Sequence, residues 1–139
     1  MKTIFSVNRS SKNVDIAIFL VRISIAVLML THGISKIALF NGSPVQFMDF
    51  MGLGAELSLA LAIFAEVGCS ILILLGLGTR LAVIPLIITM LVAVFIVHGA
   101  DPFIQQEMGL HYLLIYVLLL ITGSGKYSLD KLIVSKISK

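Results

Sequence analysis

The chain has 139 residues, 59% of them hydrophobic and only 12% charged, where a soluble domain runs near half apolar and about a quarter charged. That balance excludes a soluble domain and leaves room for about four membrane spans of about 20 residues each. The formal charge of +3 gathers toward the two ends without interleaved aromatics, so membrane topology explains it better than nucleic acid does.

Residues 1–13 are polar and basic and read as a short tail. Lys2, Arg9 and Lys12 would suit the n-region of a signal peptide. The apolar run behind them is too long for an h-region, however, and no Ala-x-Ala site follows, so a retained first span is expected over residues 15–40. Within it, residues 21–36 are apolar enough for lipid yet carry Arg22, His32 and Lys36. At about 100° per residue, Lys36 falls about 40° and His32 about 80° from Arg22, so the three share one face. Gly33 on that face would admit a close neighbour.

Residues 41–55 hold Pro44, three glycines, Asp49 and two phenylalanines, too apolar a mixture for a freely solvated loop. They are expected to lie along the interface or to fold back over the helix ends, with room for one short helix. The second span is expected over 56–76 with Glu66 near its middle, followed by the tight turn Leu77-Gly78-Thr79-Arg80. The third is expected over 81–99, with Pro85 in or just beyond its first turn and His98 near its end. The fourth is expected over 107–123, beginning early enough to include Glu107. The tail 126–139 is amphipathic and basic, with Leu129, Leu132, Ile133 and Ile137 suited to a membrane surface. Lysines and arginines lie in both tails and in the 78–80 turn, whereas the opposite loops hold Asp49, Asp101 and Glu107. The expected fold is therefore an all-α, integral-membrane bundle of four helices with both termini cytoplasmic.

A carboxyl in mid-membrane must be paired, protonated or facing water, which makes Glu66 the leading site residue. At about 1.5 Å per residue Glu66 lies about halfway across and Arg22 about 10 Å from the inner face. An Arg22–Glu66 pair is one expectation, and an Arg22 that snorkels inward is the other. Ala55, Ala62, Cys69 and Ser70 on the Glu66 face allow a close helix or a small cavity. Glu107 and His111, four apart, can hydrogen-bond. Each has a plainer role: Arg22 and Lys36 as interfacial anchors, His98 and His111 as rim residues, Tyr112 and Tyr116 as belt and packing. Cys69, the one cysteine, is expected as a small packing residue. No metal site is expected, because Glu107 and His111 alone set two strong ligands on adjacent turns. No phosphate loop, CxxC or haem motif is present.

Arg22 followed by His32-Gly33 and Lys36, then Glu66-x-Gly68 and Gly76-Leu-Gly78-Thr79-Arg80, then Glu107, and finally Gly123-Ser-Gly125-Lys126-Tyr-Ser128-Leu129-Asp130 together resemble the DoxX-like family. Ser124 stands where proline is common, a change confined to a turn. The resemblance implies a compact four-helix bundle in a bacterial cytoplasmic membrane. It also implies kinship with membrane subunits of quinone-dependent sulfur oxidation (the thiosulfate:quinone oxidoreductase type) and of oxidative-stress complexes. Carried over, Glu66 would hold a proton or bond a quinone carbonyl, with Arg22, His32, Lys36 and Glu107 as quinone-binding candidates. Electrons would come from a protein partner or a soluble donor. The alternatives are a non-catalytic membrane anchor and a small-solute or proton pathway, the latter needing a homo-oligomer.

Overall fold

The structure, a computed structural model, describes residues 11–137; the basic residues Lys2, Arg9 and Lys139 lie outside the described residues. Four helical stretches are long and apolar enough to cross a membrane: Ser11–Asn41, Ala55–Leu75, Thr79–Val97 and Phe103–Thr122. The first is α1 (Ser11–Ile37) with a closing 3₁₀ turn, Ala38–Asn41. Its buried residues, Arg22, Ile25, Ala26, Met29 and Gly33, recur at the helical period, while Leu20, Val27, Leu28 and Ile34 face outward. An outer surface so apolar suits lipid.

The second span is α2 (Ala55–Ile63), a π-helical segment Phe64–Cys69, and α3 (Ser70–Leu75). It stops at Gly76, whose φ of 69° lets Leu77 N–H reach Leu72 O at 2.9 Å, a left-handed cap that a side chain would strain. The third span is α4 (Thr79–Val92) with a second π segment, Ala93–Val97. Helix α4 starts at Thr79 because Leu81 and Ala82 N–H both bond Gly78 O. Pro85 consequently lies deeper than expected, at the end of the second turn. The fourth span, α5 (Phe103–Thr122), begins just after Pro102, four residues ahead of 107. A surface helix, α6 (Leu129–Ile137), follows, exposing Leu132, Ile133 and Ile137. Residues 42–54 form no helix; Asp49 Oδ1 accepts from Gly54 N–H (2.9 Å) and buried Ser58 Oγ accepts from Phe50 N–H (2.9 Å).

The core uses small residues where helices approach: Ala26 on α1, Ala65 and Cys69 on the second span, Ala82 on α4, with Met29, Leu86 and Tyr116 filling the space between. Without a hydrophobic driving force between helices in lipid, such close packing is what holds a bundle. Gly33 stands against Glu66 and Val67, and Arg22 against Gly76, so α1 and the second span run antiparallel in a fixed register. A Cβ on Gly33 would sit 2.6 Å from Val67 Cγ2 and 2.9 Å from Glu66 Cβ.

Candidate functional site

Near the end of the bundle remote from Ser11 and Ile137 lies a cavity of about 440 Å³. Four spans contribute to it: Met29, His32 and Lys36 from α1, Glu66, Met90 with Ala93 and Val94, and Tyr112 with the first turns of α5. Both π segments reach it, one through Glu66 and the other through Ala93 and Val94. A π turn inserts a residue and re-aims its neighbours, which is why such turns gather at functional sites.

The charge on its wall is an ion pair. Lys36 Nζ donates to Glu66 Oε1; the Glu66 side chain is 2% exposed and that of Lys36 29%. Each charge offsets the desolvation of the other, which neither would survive cheaply alone. Glu66 Oε2 is buried and has no hydrogen-bond partner among the described residues. His32 lies edge-on to Tyr112 with ring centroids 5.8 Å apart, and Tyr112 in turn stacks on Tyr116 at 6.1 Å. Tyr112 and Tyr116 are thus buried in the bundle and are no aromatic belt.

Arg22 belongs elsewhere, and the expected Arg22–Glu66 pair does not form. Arg22 is 1% exposed, lies beneath Gly76 and turns toward the chain's closing segment. Its Nη1 donates to Ser124 O and its Nη2 to Tyr127 O at 2.6 Å, with the guanidinium 5.6 Å from the Phe19 ring. Around this clamp Gly78 N–H donates to Asp130 Oδ1 (2.8 Å) and Asp130 N–H to Gly76 O (3.0 Å). Ser128 Oγ caps α6 by accepting from Lys131 N–H at 3.3 Å. The two glycine-rich motifs therefore meet through backbone bonds, and Arg22 ties them to α1. A Cβ on Gly76 would lie 2.6 Å from Arg22 Nη1. Snorkelling is no better a description than the ion pair, since the guanidinium ends in protein carbonyls.

Glu107 is half-buried on α5, outside the cavity lining, and forms no hydrogen bond to exposed His111. The structure thus brings together Glu66, Lys36 and His32, and leaves Arg22 and Glu107 apart from them. The sequence did not single out Gln106 and Met90, and His98, expected as a rim residue, joins them on the cavity wall. The sequence signal for His98 was its place at the end of a span near Asp101, where Nδ1 now lies 2.7 Å from Asp101 Oδ2. Among the described residues no cluster of histidine, cysteine and carboxylate side chains could hold a metal ion.

The DoxX family profile matches residues 17–99. Over 121 residues the chain is 28% identical to "Putative oxidoreductase CatD" of Bacillus subtilis (strain 168), covering 86% of this chain and 89% of that protein. Over 127 residues it is 32% identical to "Inner membrane protein YqjF" of Escherichia coli (strain K12), covering 88% and 95%. No solved structure gives a significant match. With more than half its length inside the family profile and its four spans in one bundle, the chain is a multi-pass membrane protein that belongs to the DoxX family.

Proposed function

We propose that the protein is the inner-membrane subunit of a redox system and that its cavity takes the head group of a quinone. One observation carries this: the Lys36–Glu66 pair stands on the wall of an otherwise largely apolar cavity, with one buried carboxylate oxygen left without a protein partner. The size suits a small aromatic ligand, since such sites run about 300–1,000 Å³ and pair apolar walls with a few polar groups. A bound quinone supplies two-electron, two-proton chemistry. Lys36 Nζ keeps N–H donors beyond the one given to Glu66 and can offer one to a carbonyl oxygen. Glu66 Oε2 can accept from the hydroxyl of the reduced form. Met29, Met90 and Val94 supply apolar wall beside these groups. Arg22 has no part in this site; it holds the bundle's other end together.

The names of the relatives support the reading in part, one being named for oxidoreduction and the other for the inner membrane. Electrons come from a partner protein or a soluble donor. The basic end of the bundle faces the cytoplasm under the positive-inside rule.

The test is the quinone recovered per mole of protein after gentle solubilisation, compared between wild type and Glu66→Gln. Near-stoichiometric quinone in the wild type, lost in a folded Glu66→Gln, is the expected result. Equal traces in both would replace the quinone site with an anchoring role for the bundle.

A further inference from the structure

The Glu66 side chain is 2% exposed and held by Lys36, so its direct access to solvent is slight. A second polar unit on the same cavity has far more. His98 ends the second π segment: its N–H bonds Ala93 O at 2.9 Å, and its φ of −103° takes the chain out of the helix. Its Nδ1 lies 2.7 Å from Asp101 Oδ2, inside a turn closed by Asp101 N–H to His98 O at 3.0 Å. Gln106 Nε2 donates to His98 O (2.8 Å) and to Asp101 O (3.1 Å), fastening that turn to the start of α5. His98 lines the cavity, and its side chain is 40% exposed and that of Asp101 39%. A carboxylate on Nδ1 fixes the ring's orientation and keeps the Nδ1 proton in place, so that Nε2 becomes the exchanging nitrogen. His32, Lys36, Glu66 and Tyr112 are the other titratable groups on this cavity, and the Lys36–Glu66 charges largely cancel.

We propose that His98, oriented by Asp101, is the proton-exchange residue of the cavity, its Nε2–H donating to an oxygen of the bound ligand. As electrons from a partner protein or a soluble donor reduce the ligand, the imidazolium gives its Nε2 proton to that oxygen. It is left as the neutral Nδ1–H imidazole held by Asp101, and solvent at the cavity mouth returns a proton to Nε2. This rests on the quinone assignment above. It gives the site two oxygen contacts of different character, a buried ion pair at one wall and a solvent-linked imidazole at another.

Full-length protein labelled with ¹⁵N-histidine, in lipid nanodiscs, is titrated with a benzoquinone bearing a ten-carbon chain. The expected result is a saturable shift of the His98 Nε2 resonance, with His111, outside the cavity lining, unmoved. Asp101→Ala is expected to mix the His98 tautomers. His98→Phe is expected to weaken binding about ten-fold, the loss of one good hydrogen bond, and His98→Gln, whose amide still donates, to restore most of it. Saturable binding that leaves the His98 resonance in place overturns the role of His98 and leaves the quinone site standing. A wild type that shows no saturable binding overturns both. The wild-type titration decides even if His98→Phe does not fold.

Discussion

At Lys36 and Glu66 the protein holds a charge pair that is worth more intact than half removed. Deleting one member of a buried pair costs about 3–5 kcal/mol, whereas replacing both with apolar groups of like volume is often neutral. Because the Lys36 side chain is 29% exposed, Lys36→Met should sit at the low end, about 3 kcal/mol. The double variant Lys36→Met/Glu66→Leu should recover most of that loss. Denaturant unfolding in detergent gives both values, and a double variant no more stable than Lys36→Met would mean the pair is not what constrains Glu66. At Arg22 the lesson is different. A buried arginine announces that it needs acceptors, and the sequence offers Glu66 as the carboxyl near the middle of a span. Its real acceptors are the carbonyls of Ser124 and Tyr127, and a backbone carbonyl leaves no mark in a sequence. Arg22→Lys keeps the charge and loses the two-pronged guanidinium. Trypsin cleavage after exposed Lys126 should therefore rise several-fold in Arg22→Lys, with little change in overall helicity by circular dichroism. Unchanged cleavage would show that the segment is held without Arg22.

Helices are the level at which the sequence speaks most clearly. Long apolar runs punctuated by Gly76–Gly78, Pro102 and Gly123–Gly125 set four spans, and the observed ends fall within a few residues of expectation. The π segments were not legible. One inserted residue changes neither composition nor hydropathy, yet it re-aims everything beyond it, and two such insertions place Glu66, Val94 and His98 around one cavity. Nor could helical geometry on one strand of sequence show which helices touch, so Glu107 looked as good a candidate as Lys36. Gly33 was readable as a close-approach residue, and the contact it makes is the one that sets the site. Gly33→Val should push α1 from the second span, because its Cβ alone would lie 2.6 Å from Val67 Cγ2. Overpacking of this kind costs about 1–3 kcal/mol, and here it also pulls Lys36 from Glu66. Thermal unfolding and quinone retention should fall together. A stable Gly33→Val that keeps its quinone would mean the helix spacing does not govern the site.

Across the whole molecule, charge and contact agree on which end is which. Asp15 Oδ1 accepts from Lys126 N–H at 3.2 Å and Arg80 Nη2 donates to Ile121 O at 3.1 Å, so the start of α1, the Gly78 turn and the closing segment share one end. Lys12, Arg80, Lys126, Lys131 and Lys136 lie there, while the opposite loops present Asp49 and Asp101. Short loops with lysine and arginine stay on the cytoplasmic side, and on that rule the cavity mouth is expected at the outer face and the Arg22 clamp at the inner one. Cysteine accessibility tests this with little interference, because the native Cys69 is 2% exposed. A membrane-impermeant maleimide added to intact spheroplasts should label Met51→Cys, whose parent residue is 83% exposed, and should spare Ser135→Cys on α6 until the membrane is opened. The reverse pattern would turn the bundle over and make His98 exchange protons with the cytoplasm. Labelling of both in intact spheroplasts would break the four-span topology itself, because the three crossings between 51 and 135 keep them on opposite sides.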